Sequence, residues 1–206
     1  MIHRRLRALA ITCLLALGAA AAHAQAPSGK AVLLVASPAL QGLYARTALV
    51  AVPVGDRYLG FIVNRATELR LGALFPDHPP SAKVHDPVYL GGPVMSDALF
   101  AVVKGNPGAG SLHLFGELFV AAGTEAIDRI IEQTPNDARY FAGFVGWEPG
   151  ELAREIEAGY WIVSEPDATL FFRPDTGNLW EELVKRPRTQ AACAAPSRPS
   201  LSVVTA

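Results

Sequence analysis

The chain has 206 residues, with 18 Lys and Arg against 19 Asp and Glu and a formal net charge of −1 at pH 7. So balanced a chain has no general attraction for nucleic acid. Two cysteines exclude a disulfide framework and a Cys-rich zinc site.

Residues 1–24 have the build of a cleaved secretory signal. Arg4, Arg5 and Arg7 precede an uncharged Ala- and Leu-rich run, and Ala22-His23-Ala24 supplies the cleavage pattern. The run is about 15 residues, short of the roughly 20 that span a bilayer. Removing it takes away three arginines and Cys13, leaving 15 basic against 19 acidic groups and Cys193 alone. The mature protein is therefore expected to be periplasmic or secreted, with no membrane contact after cleavage. Residues 25–30 read as a linker, and 187–206, rich in Ala, Pro and Ser without periodicity, as a disordered tail. Residues 31–186 make one domain, large enough to bury a core.

Strand-length apolar runs dominate that domain, at 31–36, 47–54, 58–64, 88–90, 98–104, 112–121, 140–145, 160–164 and 169–172. Several are almost continuously apolar, which predicts cover on both faces. Helices are fewer. Thr124 is placed to cap 125–133, and Pro149 to open a helix over 151–158 that Gly159 ends. Residues 179–185 form another helix, and 71–75 a short turn of one. Strands and helices do not alternate, so the expected fold is α+β, a single compact domain with a curled mixed β-sheet flanked by a few helices.

The motifs divide between chemistry and architecture. Gly105 to Gly110 followed by Ser111 matches a phosphate loop in glycine spacing but lacks the Lys and the following helix, so it reads as a hairpin loop between two strands. His78, His85, Asp77 and Asp86 sit in a Pro-rich stretch that reads as a plain exposed loop; their spacing suits no helix face, and no metal is assigned. Glu151 and Glu155 share a helix face, which reads as solvated. Asn64-Arg65 ends an apolar strand, either as strand termination or as a site. Gly146-Trp147-Glu148-Pro149-Gly150 turns a strand into a helix, with Gly146 free in its backbone, Trp147 plugging the core and Pro149 starting the helix. In Gly91-Gly92-Pro93, Gly91 is free to take positive φ and Pro93 pushes Gly92 to extended geometry. This reads as a sharp kink between strands whose bare amides are alternatively available to a small ligand.

Taken together, Ser37-Pro38-Ala39-Leu40, Gly60-Phe61-Ile62-Val63-Asn64-Arg65, Leu71-Gly72-Ala73-Leu74-Phe75, the Pro87–Val94 stretch and Gly143-Phe144-Val145-Gly146-Trp147-Glu148-Pro149-Gly150-Glu151-Leu152 resemble, in order and spacing, the YqgE/AlgH family of bacterial proteins. The resemblance runs from about residue 31 to 172. It implies a compact α+β domain of unsettled activity, in a family some of whose members carry a transcriptional-regulator label. It carries over no catalytic residue and no cofactor. The family's Gly-Trp-Gly-Pro-Gly-Gln-Leu here has Glu148 and Glu151 in place of Gly and Gln. The leading expectation is an exported, non-enzymatic domain that binds an unknown protein or small molecule. An enzyme or small-ligand protein with a pocket at Asn64, Arg65, Gly91, Gly92 and Pro93 is the alternative. Direct gene regulation conflicts with export and with the absence of a helix-turn-helix pattern.

Overall fold

A computed structural model describes residues 29–186. The predicted signal at 1–24, most of the linker at 25–30, the tail at 187–206 and Cys193 lie outside the described residues. Ten strands run in chain order: β1 Val32–Ala36, β2 Ala48–Val54, β3 Arg57–Ile62, β4 Ala66–Arg70, β5 Pro87–Leu90, β6 Val94–Lys104, β7 Ser111–Phe115, β8 Leu118–Ala122, β9 Ala138–Trp147 and β10 Trp161–Ser164. The helices are α1 Leu71–Leu74, α2 Thr124–Gln133, α3 Glu151–Glu157 and α4 Leu179–Lys185. The sheet runs β10-β1-β2-β3-β9-β6-β8-β7, with β5 beside β9 and β4 beside β5. Its pairings are antiparallel except for β5 with β9, which makes the curled sheet mixed.

Both faces of the sheet are covered, hence the nearly unbroken apolar strands. Val35, Val50, Phe61, Phe100, Val102 and Phe141 face one core. It is closed by Leu170 and Phe171 from a 3-10 turn at Ala168–Phe172 and by Leu179 and Leu183 of α4. On the opposite face α2 lays Ile127, Ile130 and Ile131 over Ala101, Val103 and Tyr140, while α3 lays Leu152 and Ile156 over Leu34, Leu49 and Val145. Trp180 anchors α4 by donating its indole N–H to the Ala36 carbonyl at 2.8 Å. Arg46 pairs with Glu181 and stacks 4.9 Å from the Trp180 ring.

The kink at Gly91-Gly92-Pro93 is a backbone crossing. β5 and β6 pair with opposite edges of β9, both at Ala142, so residues 91–93 must carry the chain across that strand. Gly91 is wedged where β3 leaves β9: its N–H bonds the Ala142 carbonyl at 2.8 Å and its carbonyl accepts from Ile62 at 2.9 Å. The chain then lies on the backbone of β9. A Cβ on Gly92 would meet the Phe144 carbonyl carbon at 2.2 Å, one on Gly91 the Gly143 oxygen at 2.2 Å, and one on Gly143 the Gly92 oxygen at 2.4 Å. Neither Gly91 nor Gly92 takes positive φ; in this neighbourhood Gly143 does, at +68°. The glycines of the kink are therefore required by proximity rather than by backbone angle. Past the crossing β6 bulges between Val94 and Leu99, with Met95 at φ 51°.

Other differences from the sequence reading have local causes. The run at 112–121 is two strands, because Gly116, at φ +55°, turns the chain. The loop at 105–110 joins β6 to β7, but β8 lies between them, so it is not the hairpin expected. β4 is too exposed and too polar to read as a strand. The 169–172 run is the 3-10 turn, opened by Asp167, whose carboxylate accepts from the Thr169 N–H at 3.0 Å. Gly123 holds the N-cap position of α2, with no side-chain cap, so Thr124 is inside the helix.

Gly92→Ala is expected to lower the urea midpoint far more than Gly116→Ala. A Cβ at Gly116 meets open space, and only its positive φ counts, about 1–2 kcal/mol. Equal losses in the two variants would show that the crossing is not tight.

Candidate functional site

Asn64 and Arg65 leave β3 at the point where its ladder with β2 runs out. The last pairing there is the Val63 N–H on the Ala48 carbonyl, at 2.9 Å. Beyond it the Asn64 side chain takes over, accepting from the Ala48 N–H at 2.8 Å and donating to the Arg46 carbonyl at 3.0 Å. The Arg65 guanidinium donates to the Leu43 carbonyl and, at 3.4 Å, to that of Ala45. Two consecutive side chains thus clamp the loop at 42–47. Arg65 is therefore half-buried and structural, not the free guanidinium its place at a strand end suggests. Its own carbonyl accepts from Leu90 at 2.8 Å, which sets Asn64-Arg65 beside Gly91. Backbone is what is brought together there. Gly91 and Gly92 are buried against β9, Pro93 is exposed, and the polar side chains of 64 and 65 point to the loop.

The Gly146–Gly150 stretch builds a second cluster. Trp147 is 4% exposed, and its six-membered ring occupies the place a Cβ on Gly60 would take, at 2.9 Å. Its indole N–H donates to Glu155 Oε2 at 2.9 Å, and Trp161 donates to the same oxygen at 2.7 Å. Glu155 is thus an acceptor for two buried indoles, not part of a solvated face. Pro149 does not open α3. Pro149-Gly150 form the centre of a turn closed by the Glu151 N–H on the Glu148 carbonyl at 2.9 Å. Gly150, at φ 75° and ψ −4°, supplies the left-handed residue that a type II turn needs, the freedom expected of Gly146. The Glu151 carboxylate reaches back to the Glu148 N–H at 2.9 Å, and Glu148 pairs with Arg57. Both residues that depart from the family pattern are therefore engaged. Tyr44 packs edge-on to Trp161. Burial raises its hydroxyl above the ordinary tyrosine value, Glu155 and Glu151 push it further the same way, and Arg65 opposes them. Burial also lowers the Arg65 guanidinium.

The Pro-rich stretch is ordered rather than a plain exposed loop. Residues Pro79–Lys83 form a 3-10 turn around fully buried Ser81, whose hydroxyl meets His78 Nδ1 at 2.8 Å.

Two open clefts adjoin at Lys104, the last residue of β6. One, of about 370 Å³, is lined by Lys104, Asp167, Thr169, Phe172, Arg173 and Arg186 among others. The other, of about 250 Å³, lies between the 105–107 loop and α2, where Arg129 and Gln133 face Lys104. Neither is lined by the residues expected to form a pocket. The Lys104 ammonium lies 5.2 Å from the Phe172 ring centre. Arg173 is held bidentately by Glu182, at 2.8 and 2.6 Å, a bond that raises the guanidinium and lowers the carboxyl. Behind them Arg139, 3% exposed, donates to the Tyr89 hydroxyl at 2.5 Å and the Arg173 carbonyl at 3.4 Å, and meets Asp86 at 3.4 Å. Sequence reasoning missed this end of the sheet because its residues come from β6, α2 and the two segments flanking α4. The one local signal was Lys104 closing an apolar strand.

The sequence profile of the AlgH-like family matches residues 33–192. A UPF0301 protein of Streptomyces coelicolor is 33% identical over 180 residues, 82% of this chain and 93% of its own. A UPF0301 protein of Chlorobium phaeobacteroides is 28% identical over 182 residues, 85% of this chain and 95% of its own. The solution structure of the AlgH protein from Pseudomonas aeruginosa superposes with a TM-score of 0.64 at 28% identity, over 78% of this chain and 90% of that one. The crystal structure of protein DIP2367 from Corynebacterium diphtheriae gives a TM-score of 0.64 over 80% of this chain and 91% of that one; at 21% identity the likeness is one of fold.

Arg65→Ala is expected to cost about 1 kcal/mol, the scale of a half-exposed charge-assisted bond, and to speed amide exchange at residues 42–47. Exchange unchanged in that loop would show that the guanidinium is not its clamp. A second expectation concerns alkaline pH. Burial raises the hydroxyls of both Tyr44 and Tyr140, so the folded chain holds these protons more tightly than the unfolded chain. That stabilisation is complete below the ordinary tyrosine value near 10 and is lost as pH rises above it. Urea midpoints between about pH 8 and 11 should fall less steeply for Tyr140→Phe than for the parent. Identical slopes would contradict this origin.

Proposed function

The chain belongs to the AlgH-like family, and we propose that it is an exported, non-enzymatic binding or interaction domain. The observation that carries the binding part is the division of labour among the polar groups. Those the sequence offers for chemistry are engaged in the fold: Asn64 and Arg65 with the 42–47 loop, Glu155 with two indoles, His78 with Ser81. The charged groups that line the two clefts are mainly cations around Lys104, with one carboxylate, Asp167. Such an arrangement suits recognition, which needs charge and shape, better than proton or acyl transfer, which needs a nucleophile and base within reach of each other. The export part rests on Arg4, Arg5, Arg7, the uncharged run and Ala22-His23-Ala24. The partner is an unidentified protein or small molecule rather than nucleic acid or membrane. No helix of the described residues is long and apolar enough to cross a bilayer.

A small-molecule melting screen, with each hit re-isolated after incubation, tests the binding part. Hits that raise the midpoint and return unchanged are expected; conversion of a hit would replace the reading with an enzymatic one. For export, mass spectrometry of the periplasmic fraction should find a mature N-terminus at Gln25, and an intact Met1 in the soluble cytosolic pool would overturn it.

A further inference from the structure

We propose that the two clefts meeting at Lys104, one on each face of the sheet, together hold across the strand end a small ligand bearing at least two negative charges, a phosphate ester or a polycarboxylate. The inference rests on the binding reading above and names the ligand class for it. Four cationic side chains line the paired clefts: Lys104, Arg129, Arg173 and Arg186. One acid, Asp167, lines them too, and its carboxylate is engaged by the Thr169 N–H and hydroxyl at 3.0 and 2.6 Å. Glu182 stands beside Arg173 and takes both of its terminal nitrogens, while Arg173 Nε donates to the Asp175 carbonyl at 2.7 Å. That leaves Arg173 as a fixed wall. Arg129 gives one bond to the Ala109 carbonyl at 3.3 Å. Among the described residues, Lys104, Arg129 and Arg186 have no ion-pair partner.

Four cations to one acid in the lining, with Arg186 sharing Glu182 with Arg173, are an uneven allocation in a chain with more acids than bases, and one that a surface arranged only for solubility does not call for. Their placement is also specific. Lys104 ends β6 on the face that carries Val102, and Val102 pairs with Arg139, so the two cations share a face of the sheet, the Arg139 guanidinium being directed to the Tyr89 hydroxyl, Asp86 and the Arg173 carbonyl. Asp86 answers Arg139 only at 3.4 Å and is half exposed, and Arg139 Nε is buried without a partner. The Phe172 ring under Lys104 offers an apolar floor. The larger cleft, about 370 Å³, is by itself within the size range of small-molecule sites, and cations on either side of Lys104 suit a ligand charged at both ends rather than a monoanion. Charge-assisted bonds to oxyanions are the strongest contacts this set of side chains can make.

The test is calorimetric titration of the full mature chain with pyrophosphate and with citrate, one for each oxyanion source, beside glucose as a neutral control. Saturable binding of at least one of the two is expected, weakening as salt rises. Lys104→Ala should weaken it by about tenfold or more, the scale of one charge-assisted bond, and Arg129→Ala and Arg186→Ala by smaller factors. Lys83→Ala, an exposed lysine outside the clefts, should leave it unchanged. Melting of unliganded Lys104→Ala should match the parent, so that its loss of binding is not a loss of fold. The inference is overturned if neither anion binds better than glucose, or if binding survives Lys104→Ala combined with Arg129→Ala. A neutral hit in the melting screen with no anion binding would overturn this inference and leave the binding reading standing. Hydrolysis of bound pyrophosphate would overturn the non-enzymatic reading and leave the anion site in place.

Discussion

The fold depends on one contact in which no side chain takes part: the backbone of residues 91–93 lying on the backbone of β9 at Gly143 and Phe144. Three glycines make it possible, because each of the three Cβ positions would fall 2.2 to 2.4 Å from a backbone atom of the other segment. Gly91 joins β3 to β9 by one hydrogen bond on each side, the crossing passes the chain to the far edge, and β6 begins there opposite Phe144. Four strands therefore take their positions from one point. The two apolar clusters on the opposite face also meet β9 on either side of it, at Ala142 and at Val145. Backbone cannot rotate out of the way as a side chain can, so this contact tolerates no added atom.

Around that crossing, polar side chains serve mainly to hold loops. Where β2 and β3 stop pairing, buried N–H and C=O groups still require partners, and Asn64 and Arg65 supply them to the 42–47 loop. Where α3 packs on the sheet, two buried indoles need an acceptor, and Glu155 supplies one oxygen to both. These are residues that a sequence presents as chemically able. In the folded chain their hydrogen-bonding capacity is committed, and it is burial that lowers the proton affinity of Arg65 and raises that of Tyr44.

The other end of the sheet has the opposite character. There β6 ends, the 105–110 loop begins its crossing along β8 from Glu117 to Ala122, and the segments before and after α4 come together. Loops and termini of elements are where a rigid scaffold can expose groups without disturbing its core. Lys104 stands over the Phe172 ring there, and the other cations near it come from distant parts of the chain, a grouping made by tertiary proximity alone.

The sequence by itself determined the inventory. Apolar runs of strand length, the helical spacing of Ile127, Ile130 and Ile131, Gly159 as a helix stop and the α+β class all follow from local periodicity and backbone preference. These properties act over a few residues and need no knowledge of neighbours. It also showed that Gly91-Gly92-Pro93 and Trp147 were under constraint. What it did not contain was the nature of the constraint. Pro149-Gly150 and Gly91-Gly92 look alike as glycine-bearing turns, yet the first needs a left-handed residue and the second needs empty space, and the space is defined by Gly143, some fifty positions away. In the same way Glu155 reads as a solvated carboxylate until Trp147 and Trp161 are brought to it, and Lys104 reads as a strand end until Arg129, Arg173 and Arg186 arrive from three other parts of the chain. Only the tertiary structure decided these, because steric exclusion and electrostatic company depend on distance in space, which sequence separation does not measure.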